Sequence, residues 1–271
     1  MITIGRFSFV IPPMLFFLIF PVYFLHAEAL PEMPLPLLQE QIAKEYDGLH
    51  PRKWGMTVLG VRTRLKTTEK VIALTFDACG GKNGNGFDAV LINFLEQQQI
   101  PATLFVSGRW IAANPEGFKR IAANPIFEIA NHGLLHRTAS VTGRSVYGIT
   151  GTRSVGELMN EIEVNARKIK SLTGKRTRFY RSGTAYYDDV AIRIAHSLEH
   201  EVVGFSIVGD AGGTYDKGQV MSVLLGASPG DIAIFHMNHP KSATAAGVIG
   251  AIPELKKRGY RFVTLSEYSL E

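Results

Sequence analysis

Two histidines, His132 and His136, stand four residues apart in the stretch EIANHGLLHR. Four residues amount to about one helical turn, so on a helix the two imidazoles would face the same way. Two imidazoles on one face are a common beginning of a transition-metal site. The alternative is that one histidine caps a helix while the other is solvated. The spacing alone leaves both interpretations open.

Short runs rich in β-branched and aromatic residues alternate along the chain with segments of helical periodicity. Strands that alternate with helices form a parallel sheet with the helices outside, so the pattern predicts an α/β fold. Seven such units suit a barrel that lacks one repeat of the eightfold kind. The predicted strands are residues 71–76, 102–106, 127–130, 178–180, 202–207, 232–235 and 261–265. The clearest predicted helices are residues 87–98, 155–174, 188–200 and 245–259, and Pro253 is expected to kink or divide the last one.

Side chains able to do chemistry follow five of the predicted strands. In chain order they are Asp77, His132, Arg181, Asp210 and His236. In a parallel barrel the carboxyl ends of the strands meet at one mouth, where catalytic residues gather. Five such side chains at five strand ends favour the metal-site interpretation of the histidine pair.

From about Lys70 to Leu265 the sequence resembles the polysaccharide deacetylases of the NodB-homology type, a family of carbohydrate esterases. Five motifs in the family's order carry the resemblance, and each alone is weak. They are Thr75-Phe76-Asp77-Ala78-Cys79-Gly80-Gly81, His132-Gly133-Leu134-Leu135-His136, Arg181-Ser182-Gly183-Thr184-Ala185, Gly209-Asp210-Ala211-Gly212 and Ile234-Phe235-His236.

The resemblance implies a distorted (β/α)₇ barrel that hydrolyses N-acetyl, or sometimes O-acetyl, groups on glycans. It implies that His132 and His136 bind a divalent metal, for which Zn²⁺ is the expected ion. The remaining implied roles are a general base, Asp77; a residue holding that base, Arg181; a residue orienting the arginine, Asp210; and a general acid, His236.

The first motif departs from the family at Ala78, where the family carries a second aspartate that ligates the metal. Cys79 could supply a thiolate instead, or Asp77 or water could fill the position. Cys79 could equally be a small buried residue at a Gly-rich turn, and that interpretation is the favoured one. The chain could also be a non-catalytic carbohydrate-binding protein on a degenerate barrel. Because Asp77, Arg181 and His236 are retained together, hydrolase is the leading prediction.

Aromatic residues near the predicted strand ends are candidates for stacking on sugar rings, namely Trp110, Tyr186 and Tyr187. The sequence does not name the glycan. Peptidoglycan, a secreted exopolysaccharide and chitin oligomers are all compatible with it.

The N-terminal 29 residues read as a secretory signal peptide, with Arg6, an apolar stretch and the small-x-small pattern Ala27-Glu28-Ala29. Residues 30–66 are predicted to be a linker and an N-terminal extension, and residues 67–271 the catalytic domain. The expected location is therefore secreted or periplasmic, with membrane contact only through the signal segment. Retention of that segment as a membrane anchor is the alternative.

Composition adds two exclusions. The net charge is +5 over 271 residues, and the basic residues are scattered, so no nucleic-acid-binding patch is predicted. Cys79 is the only cysteine, which excludes an intramolecular disulfide.

Overall fold

The computed structural model describes residues 1–2 and 32–271. The chain divides into two compact units, Met1–Pro34 and Leu35–Glu271. All described helices and strands belong to the second unit. The predicted signal peptide lies almost entirely outside the described residues. Among those residues, no helix has the length and apolar content needed to cross a membrane.

A parallel sheet forms the centre of the second unit, in the order β2-β8-β6-β5-β4-β3-β10-β9, with β11 beside the first half of β3. Its strands are β2 (Val61–Arg62), β3 (Val71–Ala78), β4 (Ala102–Val106), β5 (Phe127–Asn131), β6 (Phe179–Tyr180), β8 (Glu201–Val203), β9 (Ile207–Val208), β10 (Asp231–His236) and β11 (Arg261–Val263). A separate antiparallel pair joins β1 (Trp54–Gly55) to β7 (Tyr187–Asp188). The seven predicted strand regions are all present, and the predicted distorted (β/α)₇ barrel is confirmed.

Helices surround this sheet. They are α1 (Leu35–Tyr46), α2 (Ala89–Gln97), α3 (Gly108–Ala113), α4 (Pro115–Ala123), α5 (Val155–Thr173), α6 (Asp189–Ser197), α7 (Lys217–Leu225) and α8 (Thr244–Lys257), followed by a 3₁₀ turn at Leu265–Glu267. Pro253 lies inside α8 and does not divide it, contrary to one of the expected outcomes. Helix α1 lies within the segment predicted to be a linker and extension, and it packs on α5 and α6.

The central strand β3 is buried along its whole length because both of its faces are covered. Its even-numbered residues, such as Phe76 and Ala78, pack beneath the surrounding helices. Its odd-numbered residues, such as Val71 and Ala73, belong to a second cluster inside the curled sheet. Side chains alternate between the two faces of a strand, so Asp77 shares the inner face and lies near its carboxyl end.

The region predicted as one strand over 202–207 is two short strands near opposite ends of the sheet, with β8 second from one end and β9 at the other. Strand β8 pairs with β6, whereas β9 pairs with β10. Only residues 204–206 separate them, so the chain itself connects these two parts of the sheet. Gly204 accommodates the close approach, since a Cβ there would lie 3.0 Å from a methyl carbon of Val61. This switch curls the sheet and brings the ends of β6, β8 and β10 together.

Candidate active site

Asp77 and Arg181 form a buried ion pair inside the curled sheet. Arg181 Nη1 donates to Asp77 Oδ1 at 2.8 Å and to Thr75 Oγ1 at 2.9 Å. Its other nitrogens donate to the carbonyl oxygens of Val203 and Gly204, and its guanidinium lies over the ring of Phe105. These contacts fix the guanidinium in place. The prediction that Arg181 holds Asp77 therefore agrees with the geometry.

Asp210 does not orient Arg181, and that expectation is wrong. Its carboxylate instead holds His236, accepting the backbone N–H at 2.7 Å and the Nδ1 hydrogen at 2.8 Å. Thr244 Oγ1 donates to the same carboxylate at 2.9 Å. The loop after β9 carries Asp210 to the end of β10, where it bonds to His236 and not to Arg181. The site therefore contains two separate pairs, Asp77 with Arg181 and Asp210 with His236.

His132 and His136 lie in a loop after β5, not on a helix as their spacing suggested. His136 has a left-handed backbone, with φ of 58°, and this turn brings its ring to 4.8 Å from the ring of His132, centroid to centroid. His132 Nδ1 donates to the carbonyl oxygen of Arg181 at 2.9 Å, which leaves Nε2 as the nitrogen with a free lone pair. That Nε2 lies 3.5 Å from Asp77 Oδ2.

Helix α5 fixes this loop through buried polar side chains that the sequence analysis did not single out. Glu161 accepts the backbone N–H groups of Leu135 and Arg137, which flank His136. Asn131 accepts the N–H of Gly133 and a hydrogen bond from Asn165. Both Glu161 and Asn165 are buried among mostly apolar residues of this helix. A buried polar residue needs hydrogen-bond partners. The polar residues within this helix were therefore the sequence feature that could have indicated its contacts with the loop.

Gly133 is required by this packing. Its φ is 78°, and a Cβ there would lie 2.4 Å from Glu161 Oε1. Any larger side chain at this position would therefore displace the carboxylate that holds the loop.

Cys79 follows β3 directly and faces the two histidines. Its Sγ lies 3.8 Å from His132 Nε2. Donor atoms of Cys79, His132 and His136 all lie within 4.8 Å of one another. Ala78, in contrast, packs in the helix-facing cluster. The position available for a ligand is thus one residue later than in the family, and the geometry favours the ligand interpretation of Cys79 over the small-turn interpretation.

These donors suit a metal ion. His136 is 5 % exposed, and among the described residues neither of its ring nitrogens has a hydrogen-bond partner. A buried imidazole without partners is costly unless a ligand satisfies it. One thiolate and two imidazoles are typical zinc ligands. Cys79, His132 and His136 could therefore hold a divalent metal.

Electrostatics favour the metal-binding forms of two of these groups. Burial raises the pKa of the Cys79 thiol, but its contacts with His136, His132 and His236 together outweigh burial, so the pKa lies well below its usual value. Burial lowers the pKa of His136, which favours the neutral imidazole. Burial also lowers the pKa of His132, but the charge of Asp77 together with the contacts from Cys79 and the carbonyl of Arg181 outweighs burial and raises the pKa.

The pKa of His236 is raised well above its usual value. Burial alone would lower it, but the hydrogen bond to Asp210, with a further contribution from Cys79, outweighs burial. His236 therefore retains its proton at neutral pH, as a general acid must.

Of the three predicted sugar-stacking residues, two are in the core. Trp110 is fully buried beneath Phe87 and donates its indole N–H to the carbonyl of Gly86. Tyr187 is also fully buried, and its hydroxyl accepts the N–H of Ser182. Neither ring has a free face, so these two predictions are wrong. Tyr186 is half-buried and keeps accessible surface.

Residues 64–203 match the family described as polysaccharide deacetylase. This chain belongs to the polysaccharide deacetylase family. It is 29% identical over 211 residues to a peptidoglycan-N-acetylglucosamine deacetylase of Bacillus cereus, a match that covers 76% of this chain and 92% of the relative. It is 25% identical over 212 residues to the peptidoglycan-N-acetylmuramic acid deacetylase PdaA of Bacillus subtilis, covering 76% and 73%. The chain is a hydrolase of this family.

Solved structures support the fold. The Bacillus subtilis PdaA structure aligns with a TM-score of 0.61 at 22% identity, covering 88% of this chain and 90% of that one. A family 4 carbohydrate esterase pseudoenzyme from Bacillus anthracis aligns with a TM-score of 0.64 at 21% identity, covering 76% and 67%.

Proposed function

We propose that this protein is an exported, metal-dependent deacetylase that removes N-acetyl groups from peptidoglycan. The observation that carries the proposal is the convergence of three sets of residues. The donors of Cys79, His132 and His136 lie beside Asp77, and His236 is paired with Asp77 on the neighbouring strand β10. The peptidoglycan deacetylases among the relatives support the choice of substrate.

Cys79, His132 and His136 would hold the metal, and a thiolate with two imidazoles makes Zn²⁺ the preferred ion. When bound, such an ion polarises the acetyl carbonyl and lowers the pKa of water. His132 is already oriented by the carbonyl of Arg181, which fixes the nitrogen that faces the donor set.

Asp77 acts as the general base. One of its oxygens accepts from Arg181, while the other points toward His132. A carboxylate held by one oxygen keeps the second free to take a proton from the attacking water. His236, which stays protonated through Asp210, donates a proton to the leaving amine. An amide needs this donation because an amine anion is a very poor leaving group.

A non-catalytic carbohydrate-binding protein is the second candidate. Ala78 favours it, because the family's aspartate ligand is missing, and a pseudoenzyme is among the structural neighbours. The position of Cys79 argues against it, because a thiolate can replace the missing carboxylate.

Export rests on the signal-peptide pattern in residues 1–29. We expect the mature chain to begin near Glu28 or Leu30, outside the cytoplasmic membrane. N-terminal sequencing of the protein from cell fractions tests this. Met1 on a soluble cytoplasmic pool would overturn export, and Met1 on a membrane fraction would favour a retained anchor.

The test of the activity is acetate release from N-acetylated glycans by the metal-loaded protein. His236→Ala should slow amide cleavage more than cleavage of an activated acetyl ester, because the ester's leaving group needs no proton. Asp77→Asn should slow both, by about 10²–10⁴-fold. If the protein binds one metal ion per chain but releases acetate from none of the N-acetylated glycans tested, the result would favour the non-catalytic carbohydrate-binding protein. If His236→Ala slows amide cleavage and activated-ester cleavage equally, His236 is not the general acid.

A further inference from the structure

We infer that Trp54, Tyr147 and Tyr186 form an aromatic subsite that binds a sugar ring of the glycan, next to the unit that loses its acetyl group. The inference rests on the proposed function for its choice of ligand. The three rings come from three segments that are distant in sequence. They are the N-terminal extension, the long loop after the histidine pair and the loop before β7.

The three rings form one contiguous cluster. The Trp54 and Tyr186 centroids lie 5.9 Å apart with planes at 43°, and those of Tyr147 and Tyr186 lie 5.8 Å apart with planes at 84°. The guanidinium of Arg144 lies 5.2 Å from the centre of the Trp54 ring. The cluster thus combines apolar ring faces with phenolic hydroxyls and one cation.

Tyr147 is presented to solvent at an energetic cost. Its side chain is 72% exposed. Val146 and Ile149 exchange two backbone hydrogen bonds, so Tyr147 and Gly148 form a two-residue hairpin turn. Both have positive φ, 55° and 74°, as in a type I′ turn. Asn or Gly is the preferred first residue of such a turn, and a bulky residue there is strained. An exposed, strained aromatic side chain is typical of a binding role.

The cluster adjoins the candidate active site. Tyr186 ends the loop that begins at Arg181, and Ser182 Oγ donates to the Tyr186 carbonyl at 2.9 Å. Gly183 in this loop packs on His136, since a Cβ there would lie 2.4 Å from the carbonyl oxygen of His136. Tyr186 is three positions after Gly183 in the chain, a span of at most about 11 Å. A polymer bound at the metal donors would therefore reach the rings.

The chemistry of the cluster selects a sugar. A pyranose ring has a face of C–H groups and a rim of hydroxyls. Aromatic rings bury the C–H face, while tyrosine hydroxyls and a guanidinium bind the rim. A ligand with this combination of surfaces matches rings that are apolar on their faces and polar at their edges.

The test measures binding of a β-1,4-linked N-acetylglucosamine hexamer by calorimetry to the metal-loaded protein. Tyr147→Asn should raise the Kd roughly three- to tenfold, the worth of one aromatic contact. Tyr147→Phe keeps the ring and loses only the hydroxyl, so its Kd should rise less than that of Tyr147→Asn. Asn suits the turn better than Tyr, so the Tm of Tyr147→Asn should not fall, and a weaker Kd cannot be attributed to unfolding.

Tyr268→Asn provides a matched control, because this half-buried tyrosine contacts Glu69 and Arg261 away from the cluster. Its Kd should equal that of the wild type. Equal Kd values for wild type and Tyr147→Asn would overturn the subsite, as would equal weakening by Tyr268→Asn. Acetate release is measured in parallel. If Tyr147→Asn binds the hexamer more weakly but the wild type releases no acetate, the subsite is supported and the deacetylase activity is contradicted. If the wild type releases acetate but Tyr147→Asn binds as tightly as the wild type, the activity is supported and the subsite is contradicted.

Discussion

Asp210 holds His236 by two hydrogen bonds, one to the backbone N–H at 2.7 Å and one to Nδ1 at 2.8 Å. These hydrogen bonds fix the tautomer and direction of the imidazole, because Nδ1 faces the carboxylate and Nε2 remains available to donate a proton. It also raises the pKa of His236, against the opposing effect of burial. The same aspartate thus controls the geometry and the protonation of the proposed acid.

The first prediction concerns the pH dependence of this acid. A raised pKa keeps His236 protonated to higher pH, and activity is lost as the pH rises through that pKa. Asp210→Asn removes the charge, so the pKa falls and the basic limb of the kcat/KM profile should move to lower pH. At alkaline pH the rate on an N-acetylated glycan should fall by up to about 10²-fold.

His239→Ala is a suitable control, because its ring lies near His236, at 6.3 Å between centroids, without bonding to Asp210. Its basic limb should match the wild type. A basic limb in Asp210→Asn that stays at the wild-type pH would show that His236 does not set it.

The second prediction concerns the metal. Cys79→Ser and His136→Ala should each lower the bound metal, measured by elemental analysis of the purified protein, because each removes one of three donors. His239→Ala should retain it. Removal of the metal by a chelator should lower the Tm of the wild type, since a ligand that binds only the folded state stabilises it. Full occupancy in Cys79→Ser would return Cys79 to the role of a small turn residue.

Much of this site could be predicted because parallel strands converge. Strand periodicity places Asp77 and His236 at strand ends, and in the structure β3 and β10 pair at these two residues. The partner of Asp210 could not be predicted, since it depends on the path of the loop after β9. The position of Cys79 likewise depends on the turn that ends β3. Burial of Trp110 and Tyr187 depends on packing between distant segments, which residue type alone does not reveal.

The third prediction concerns the loop that carries the histidines. Glu161→Ala would leave the buried N–H groups of Leu135 and Arg137 without their acceptor, which should cost about 1–3 kcal/mol in the free energy of unfolding. Loosening of His136 should also lower metal affinity about 10–100-fold. Glu161→Gln keeps one acceptor oxygen, so it should lose less stability and less metal affinity than Glu161→Ala. Urea unfolding and metal titration measure the two effects, and an unchanged metal affinity in Glu161→Ala would contradict the positioning role.

The fourth prediction concerns stability in acid. His200 is buried, with Nε2 bonded to Thr177 Oγ1 and Nδ1 to the carbonyl of Leu198. Burial, with the charge of Arg176, lowers its pKa from 6.5 to about 4. Between these values the unfolded chain binds more protons than the folded one. The stability from the neutral imidazole is therefore complete above about pH 6.5 and is lost as the pH falls toward 4, by up to about 3 kcal/mol.

His200→Gln carries no titrating group, so its free energy of unfolding should vary less with pH than that of the wild type between about pH 6.5 and 4. His50→Gln, at an exposed position, should keep the wild-type pH dependence. Urea unfolding at a series of pH values measures all three proteins. If wild type and His200→Gln lose stability in parallel over this range, then His200 binds its proton equally in the folded and unfolded states, and acid destabilisation must originate in another buried group.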